Sequence, residues 1–297
     1  MSRTRLLVVG DVAWDIFIRP QRPLVSGSDV LGTVDMMPGG AAANVAVWAR
    51  RLGADARLVG KVGDDPLGEL MCAHLRAEAA AGDLICVAGG LTTRVGILVS
   101  ADGEHSFVID HTKILLFEEG DVPTSLLDGV DAVFFNGYDI YLAGSAAFLT
   151  PVLGEARRRH IPVAFDPSSF TLIEAYGAER LLGDVCPLDV LIANEDETRA
   201  LAGGSGASAL TAHASLVVVK RGRDGAAAYG NGVWTREPST PLAAVDTTGA
   251  GDAFDAAFLV EWLESGDVDA ALKAGNRLGA YVASHLGAQP AMAPPRV

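Results

Sequence analysis

The chain has few cysteines, no long hydrophobic run and a deficit of positive charge. Its cysteines, Cys72, Cys86 and Cys186, are widely spaced and form no CxxC pair, which argues against a disulfide framework and a zinc site. No stretch approaches the roughly 20 apolar residues of a membrane helix, and the apolar run before Gly10 is too short for a signal-peptide core. The sequence therefore predicts a protein of the reducing cytoplasm with no membrane partner.

The charge balance also limits the partners. The formal net charge is -14, so the protein is repelled by nucleic acid and by anionic membranes, and neither is an expected partner. Any phosphate site must be made positive locally, by backbone amides or by the few lysines. These are Lys61, Lys113, Lys220 and Lys273.

Short apolar runs alternate with amphipathic segments through most of the 297 residues. Runs such as RLLVV, ARLVGKVG and LDVLIAN predict buried strands, whereas GGAAANVAVWARR and DPLGELMCAHLRA predict helices. This alternation predicts an α/β fold, with a mostly parallel, doubly wound sheet flanked by helices and a ligand beyond the carboxyl ends of the strands. The residues that follow strands are therefore site candidates: Gly10, Asp11, Asp64, Asn136, Asp166, Asn194 and Gly222.

Two stretches break this alternation and are typical of short strands joined by Gly, Pro, Asp and Ser turns. They are residues 15–35 and 92–113, and the second contains a predicted hairpin around Ala101-Asp102-Gly103. We expect them to pair as a small β-sheet lid over the site. The rest of the single domain 1–297 would form a large α/β core from residues 1–14, 36–91 and 114–297.

The stretch DTTGAGDAFDAAFL combines a glycine turn with the start of an apolar helix. Gly249 and Gly251 permit backbone angles that other residues resist, and Phe254 and Phe258 recur at helical spacing. A helix start has unpaired amides and the positive end of a dipole, so it suits a phosphoryl group. Asp252 would then be a base beside an anion hole, unless it only caps the helix.

Four segments together resemble the ribokinase family of carbohydrate kinases, also called the PfkB family. The specific part is D-T-T-G-A-G-D from Asp246 to Asp252, and a Gly-Gly-x-x-x-Asn element from Gly39 to Asn44 lies near the N-terminus. The segments ANEDE and VVVKRGRDG complete the resemblance, whereas the P-loop signature GxxxxGK[ST] is absent. The resemblance implies a ribokinase-like fold and an ATP-dependent kinase that acts on an alcohol.

The resemblance also implies the catalytic residues. In this family the aspartate matching Asp252 takes the proton of the acceptor hydroxyl, and the amides matching Gly249, Ala250 and Gly251 hold the transferring phosphoryl group. Phosphoryl transfer needs this positioning and charge neutralisation, with one carboxylate beside the nucleophile.

For the nucleotide, the resemblance implies a second group of residues. Lys220, Gly222 and Gly225 match the strand-end segment that lies along the phosphates, and Asn276 matches a helix position beside the adenine pocket. Lys220 as a solvated surface charge, and Asn276 as a helix-surface residue, are the alternatives.

Two cation sites follow from the same resemblance. Asn194 and Glu197 match an N-x-x-E element that helps to place Mg²⁺ through water, which suits a hard cation that retains its hydration. The alternative is a solvated helix start that the helix dipole favours. Asp246 and Thr248, together with the loop HLGAQPA from His285 to Ala291, resemble a monovalent-cation site, so dependence on K⁺ is a hypothesis, with Thr248 as a simple turn residue the alternative.

The acceptor site implied by the resemblance contains Asp15, Gly39, Gly40 and Asn44. The glycines permit close backbone approach, and the Asp and Asn side chains offer the directional hydrogen bonds that a polyol needs. Asn44 could instead serve only the turn into its helix.

At two places the sequence departs from the family pattern, and these departures limit the class of acceptor molecule. Gly40 is followed by Ala41 and Ala42 instead of the Lys-Gly of ribokinases, so a cation expected near ribose or a phosphorylated acceptor is missing. Asp166 is followed by Pro-Ser-Ser-Phe, without the Asn and Arg of the D-x-N-x-R found in fructokinases and 2-keto-3-deoxygluconate kinases. Arg94 on the lid could substitute for that arginine. An unphosphorylated sugar or related polyol is therefore the expected acceptor.

Two alternative functions stay open. Trp14, Phe17 or Phe107 could stack on a nucleobase, which would make the chain a nucleoside kinase, although packing within a small sheet is the commoner use of such residues. A non-catalytic sugar- or nucleotide-binding protein is the less favoured alternative, because the residues implied in the chemistry are all present.

The predicted lid also leads to an expectation about the oligomeric state. An exposed sheet edge invites pairing with another chain, and lid sheets of this family often pair between subunits. We therefore expect a homodimer formed through the lid.

Overall fold

The apolar runs form two β-sheets in the computed structural model, which describes residues 3–100, 105–110, 115–230 and 233–291. Within these residues the larger sheet has nine strands. They are β1 (Arg5–Val9), β4 (Asp55–Gly63), β5 (Asp83–Val87), β8 (Ala132–Asn136), β9 (Val163–Asp166), β10 (Leu188–Asn194), β11 (Ala214–Lys220), β12 (Ala226–Gly230) and β13 (Val233–Glu237). Their order is β13-β12-β11-β10-β9-β8-β1-β4-β5. The strands from β11 to β5 are parallel, and β12 and β13 are antiparallel at one edge.

Helices cover both faces of this sheet. They are α1 (Ala41–Arg51), α2 (Pro66–Ala77), α3 (Tyr138–Ala143), α4 (Thr150–Arg158), α5 (Phe170–Tyr176), α6 (Ala178–Val185), α7 (Glu195–Ala202), α8 (Ala250–Ser265) and α9 (Val268–Ala283). α1, α2, α8 and α9 pack on one face and α3 to α7 on the other. The predicted α/β fold, a mostly parallel doubly wound sheet with helices on both faces, is confirmed. In the part of the chain that the structure describes, no helix is long and apolar enough to span a bilayer.

The smaller sheet corresponds to the predicted lid. Its strands are β2 (Ala13–Pro20), β3 (Gly32–Gly39), β6 (Thr93–Val99) and β7 (His105–Asp110), in the order β3-β2-β6-β7. β6 and β7 are antiparallel neighbours, as the predicted hairpin requires, and its turn at Ala101-Asp102-Gly103 lies outside the described residues. β2 begins at residue 13 and β3 ends at residue 39, so the first part of the small sheet is longer than the expected 15–35. The additional residues had been assigned to the core.

The small sheet has two chemically different faces, because successive side chains of a strand point to opposite sides. We call the face that carries Asp15, Phe17 and Arg19 the inner face, because Asp15 and Phe17 are buried against the core. The outer face carries, in register, an apolar set: Ile16, Ile18, Val34, Met36, Leu98 and Val108. Of these, Val34 is 69% and Val108 is 71% exposed.

The strand order reverses at β1, which pairs with β4 on one side and β8 on the other. Such a reversal leaves a crevice beyond the carboxyl ends of the two strands. Asp11 follows β1 and Asn136 ends β8, and Asn136 Nδ2 donates to Asp11 Oδ1 at 2.6 Å. The fold therefore brings polar groups together at the crevice.

α8 is an almost wholly apolar helix between α1 and α9. Every residue from 253 to 260 is buried, on all sides of the helix. The helix therefore has no face that is exposed to water along this stretch. It begins after Gly249 and ends before Gly266, both in the left-handed region with φ 72° and 69°. Because its interior is fixed on all sides, the position of its first turn is also fixed.

Candidate active site

Asp252 lies in the first turn of α8 and is held by Asn44 of α1. Asn44 Nδ2 donates to Asp252 Oδ2 at 2.7 Å. Burial raises the pKa of Asp252 to about 7, although the hydrogen bond from Asn44 and the charge of Lys220 act in the opposite direction. A carboxyl group with a pKa near neutrality can both accept and release a proton, as a general base must.

A loop after α9, residues 284–290, supports this pair. Gln289 Nε2 donates to Asn44 Oδ1 at 2.8 Å, so the Asn44 amide is fixed through both its oxygen and its nitrogen. Gly287 N also donates to Asp246 Oδ2 at 2.9 Å. Sequence reasoning did not identify Gln289, and the only signal was that its segment, HLGAQPA, resembled the loop of a cation site.

The turn before α8 is built for a close backbone approach. Gly249 caps the helix, and a Cβ at this position would lie 2.3 Å from the Cβ of Ala288. Asp246 Oδ1 accepts from Thr248 N at 2.9 Å, and Ala250 N donates to Thr247 O at 3.2 Å. The first amides of a helix lack acceptors within it, so the start of α8 offers donors to an anion.

Replacing Gly249 by alanine is expected to lower kcat by about 100-fold, because the turn must move away from Ala288 and a shift of an ångström at the reacting centre costs that much. The matched control is Gly266→Ala at the other end of α8, where φ is also left-handed but a Cβ meets nothing within 4 Å. Both variants should lose about 1–2 kcal/mol of unfolding free energy from the left-handed backbone. Equal kcat values for the two variants would contradict a special role of this turn.

The predicted acceptor residues also come together. A Cβ on Gly39 would lie 2.2 Å from Asp15 Oδ2, and Gly40, with φ 93°, has Asp11 O at 2.7 Å from its Cβ position. Only glycine fits either place. Burial raises the pKa of Asp15 to about 8, and the charges of Asp11 and Asp252 add to this effect. A cluster of carboxyl groups therefore surrounds the space between the lid and α8.

Asp11 has a supporting place in this cluster. Its carboxylate accepts from Ala41 N at 3.0 Å and Ala42 N at 3.2 Å, in addition to Asn136. It thereby holds the start of α1, which carries Asn44. Asp64, another strand-end candidate, is exposed and accepts from Gly89 N at 2.9 Å. The structure removes Asp64 from the candidate site, because its carboxylate holds the turn that follows β5.

Lys220 ends β11 inside a buried cluster of acids. Its Nζ lies 2.6 Å from Asp166 Oδ2 and 3.1 Å from Asp255 Oδ1. Burial opposes the charge of Lys220, but Asp166 and Asp255 outweigh it and hold its pKa well above the ordinary value. Burial raises the pKa of Asp255 well above its ordinary value. Burial acts on Asp166 in the same direction, but the charge of Lys220 and the hydrogen bonds to Asp166 outweigh it and lower the pKa of Asp166. A Cβ on Gly251 would lie 3.3 Å from Lys220 Nζ, which places the ammonium group beside the start of α8.

Asn194 and Glu197 form the start of α7. Asn194 Oδ1 accepts from Glu197 N, and Glu197 Oε2 and Oε1 accept from Asn194 N at 2.8 Å and Nδ2 at 2.6 Å. This is a capping box. Burial raises the pKa of Glu197 to about 7, and Asp166 adds to the effect. The pair thus has a structural use, and Asn194 lies beside Lys220 in the sheet register.

Gly225 and Asn276 meet at the end of β13, and Gly222 lies in the same β11–β12 turn as Gly225. Gly225 has φ 87°, and a Cβ there would lie 2.0 Å from Glu237 O. Asn276 is buried and its Nδ2 donates to Glu237 O at 3.0 Å and Pro238 O at 3.2 Å. Gly225 and Asn276 therefore fix the β11–β12 turn against the end of β13, and Asn276 is not a helix-surface residue.

The three aromatic candidates differ in what they can contact. Trp14 is buried and its indole N–H donates to Leu67 O at 2.9 Å, and Phe17 is wholly buried. Phe107 is 55% exposed and shares the inner face of the small sheet with Phe17 through the register of β7, β6 and β2. Only Phe107 of the three is placed to stack on a bound ring.

Two side chains of the small sheet approach Asp246, which lies directly before the turn into α8. Arg19 Nη2 lies 3.8 Å from Asp246 Oδ2. His105 Nε2 lies 3.6 Å from Asp246 Oδ1, and His105 Nδ1 lies 3.3 Å from Thr248 Oγ1. The lid and the glycine turn are therefore in direct contact.

Comparison with known proteins gives a consistent result. The model of the pfkB family of carbohydrate kinases matches residues 3–295. The ATP-dependent ribose-1-phosphate kinase of Halopiger xanaduensis is 32% identical over 97% of this chain and 94% of that protein. The ribokinase of Bacillus subtilis is 28% identical over 97% and 95%. The structure of the adenosine kinase of Sinorhizobium meliloti superposes with a TM-score of 0.87 at 23% identity, over 98% of this chain and 97% of that one.

Proposed function

Because the chain belongs to the pfkB family of carbohydrate kinases, we propose that it transfers the γ-phosphoryl group of ATP to a hydroxymethyl group of an unphosphorylated sugar or related polyol. Its class, a phosphotransferase that acts on sugars or nucleosides, is established by its relatives. The observation that carries the finer proposal is Asp252, a carboxyl group with a pKa near 7 at the start of a helix, fixed by Asn44.

The proposed proton acceptor is Asp252. The acceptor hydroxymethyl group would lie between Asp252 and Asp15, with Asn44 and the backbone of Gly39 and Gly40 beside it. As the hydroxyl oxygen bonds to the γ-phosphorus and the bond to the ADP oxygen breaks, the hydroxyl proton moves to Asp252. Burial and the neighbouring acids keep the pKa of Asp252 high enough to favour that transfer.

The phosphoryl group would be held at the start of α8. The amides of Gly249, Ala250 and Gly251 are the proposed donors, and Lys220 Nζ beside Gly251 adds a fixed positive charge. In a buried site such preorganised donors stabilise the developing charge more than water does. The nucleotide would continue along the β11–β12 turn, past Gly222 and Gly225, toward Asn276.

Magnesium is proposed to arrive with the nucleotide. Both oxygens of Glu197 accept from Asn194, and among the residues the structure describes no three His, Cys, Asp or Glu side chains form a metal cluster. This fits a hydrated Mg²⁺ held mainly by phosphate, with Asn194 and Glu197 acting through water. When bound, the ion neutralises charge on the transferring group.

An unphosphorylated acceptor is favoured by the pairing of the nearby cations. Lys61 Nζ lies 2.6 Å from Asp121 and also donates to Leu116 O at 2.8 Å. Arg94 is paired with Asp110 on the small sheet. Each of these cations already has an acidic partner, which disfavours its use in neutralising a phosphate on the acceptor.

A nucleoside is the second candidate acceptor, and Phe107 is the observation that favours it. Its ring is 55% exposed on the inner face of the small sheet, where a base attached to a bound ribose could stack on it. A non-catalytic binding protein is not favoured, because it would have no need for Asp252 to be held so tightly.

The proposal is tested by ADP release from Mg-ATP across a panel of ketoses, aldoses, sugar acids, sugar phosphates, ribose 1-phosphate and nucleosides. We expect one unphosphorylated acceptor to raise release well above the rate without acceptor. A response restricted to nucleosides would select the second candidate. A response restricted to phosphorylated sugars would contradict the proposed acceptor class, and ATP binding without any response would support a binding protein.

We also propose that the outer face of the small sheet forms a homodimer interface. Ile18, Val34, Met36 and Val108 form an exposed apolar surface there, and a surface of this kind commonly marks an interface. A second copy would cover it with the same residues, as a two-fold interface requires.

Sedimentation velocity should show a species of twice 30.8 kDa, and the double variant Val34→Glu/Val108→Glu should sediment as a monomer, because charges cannot be buried in an apolar contact. Leu70→Glu is the matched control, since Leu70 is 53% exposed on α2, outside the small sheet. A monomeric wild-type protein would disprove the dimer.

A further inference from the structure

The carboxylate of Asp246 is buried and needs a countercharge. Its side chain is 2% exposed, and its two oxygens accept from the amides of Thr248 and Gly287. These hydrogen bonds tie the turn before α8 to the loop 284–290. Amides do not neutralise a full charge, and a buried carboxylate without a cation is strongly unfavourable.

Among the residues that the structure describes, the formal positive charge nearest to Asp246 is Arg19, which comes from the lid. Its Nη1 lies 2.9 Å from Asp35 Oδ2, and its guanidinium stacks over the ring of Phe17 at 4.7 Å. Its Nη2 is buried, has no hydrogen-bond partner among the described residues, and lies 3.8 Å from Asp246 Oδ2. The guanidinium is therefore held by Asp35 and Phe17 with its open edge directed at Asp246.

This arrangement does not fit a resident K⁺ at Asp246 and Thr248. A second cation beside Asp246 would be repelled by the guanidinium of Arg19, which is present in the chain and cannot lose its charge. His105 occupies the other side of the carboxylate, near Asp246 Oδ1 and Thr248 Oγ1. Side chains of the lid thus approach both oxygens of Asp246.

We propose that Arg19 is the built-in counter-cation of Asp246, in place of a bound monovalent cation, and that it positions the glycine turn before α8 when the lid is seated. This rests on the proposed function, in which that turn holds the phosphoryl group. Asp15 and Arg19 lie on the same face of β2, so one strand connects the acceptor site with the turn. The proposal replaces the K⁺ hypothesis.

The first test measures dependence on monovalent cations. Wild-type kcat in KCl, NaCl and choline chloride at equal ionic strength should differ by less than about twofold, because the required charge is covalent to the chain. Arg19→Met should lower kcat in choline chloride by about tenfold or more, and millimolar KCl or guanidinium chloride should restore much of it. Arg19→Lys should stay within a few-fold of wild type and remain indifferent to K⁺. Arg22→Met, at an exposed arginine of the loop between β2 and β3, is the matched control.

The second readout does not require an acceptor, so it stands if the proposed function fails. The thermal midpoint of the wild-type protein should be the same in the three salts. That of Arg19→Met should rise in KCl relative to choline chloride by about 2 °C or more, because a ligand that binds only the folded state stabilises it. Specific stabilisation or activation of the wild-type protein by K⁺ would overturn the proposal. So would an Arg19→Met protein that behaves like wild type, or one whose defect no cation relieves.

Discussion

Replacing Asp252 by asparagine is expected to lower kcat by about 10³-fold or more, within the range that a lost general base produces. Asparagine has the same shape and keeps an oxygen that can accept from Asn44, so the fold should be retained. The burial that raises the pKa of Asp252 to about 7 makes a neutral side chain acceptable at this place. Affinity for Mg-ATP, measured as ligand-induced thermal stabilisation, should therefore change little.

The matched control for this variant is Asp64→Asn. Asp64 also follows a strand of the larger sheet, but it is exposed and its carboxylate holds the turn that follows β5. We expect its kcat to equal that of wild type. Turnover in Asp252→Asn comparable to that of Asp64→Asn would show that another group takes the proton.

The second large effect is expected at Lys220. Lys220→Met removes the charge that compensates Asp166 in a buried place, and breaking such a pair costs about 3–5 kcal/mol of unfolding free energy. It also removes the ammonium group beside Gly251, so kcat should fall by about 100-fold or more if that charge stabilises the transferring phosphoryl group. Urea unfolding and ADP release measure the two effects separately.

A double variant separates structure from chemistry at this site. In Lys220→Met/Asp166→Asn both members of the closest ion pair become neutral, and burial, which raises the pKa of Asp255 well above its ordinary value, favours an uncharged carboxyl there. We expect most of the lost stability to return while kcat stays low. Recovery of kcat together with stability would assign Lys220 a structural role alone. Lys273→Met, on the exposed side of α9, controls for loss of a lysine.

The sequence predicted the fold well because its signals are local. Apolar runs of strand length, each followed by glycine or an acid, define β1, β4, β8, β9, β10 and β11, and parallel strands place their carboxyl ends at one edge. The turn at Gly249 and the helix after it were also predictable, since the glycines and the apolar repeat stand within a few residues of each other.

The contacts that complete the site could not be predicted in the same way. Asn44 and Asp252 are 208 positions apart and Gln289 and Asn44 are 245 apart, so no local pattern connects them. Asp255 did leave a signal, because it is an acid within the apolar stretch of α8, one turn after Asp252. Its partner Lys220 ends a distant strand, and only the packing of α8 on the sheet brings the two together.

The small sheet shows a third limit of prediction from the sequence. Its strands were recognisable from their turn residues, but the alternation in β2 did not reveal which face would meet the core. Trp14 and Phe17 were as good candidates for a base-stacking ring as Phe107, yet the structure buries the first two. Arg19 carried no signal, because an arginine in a strand usually points to solvent, and here it approaches a buried Asp246 instead.

The most direct test of the central claim is the ³¹P NMR spectrum of the product formed from Mg-ATP and the acceptor that responds. Transfer to a hydroxymethyl group predicts a new phosphomonoester signal coupled to two methylene protons, a triplet or doublet of doublets, present with wild-type protein and absent with Asp252→Asn. A doublet would place the phosphate on a secondary hydroxyl. Inorganic phosphate alone, released equally by both proteins, would contradict the account.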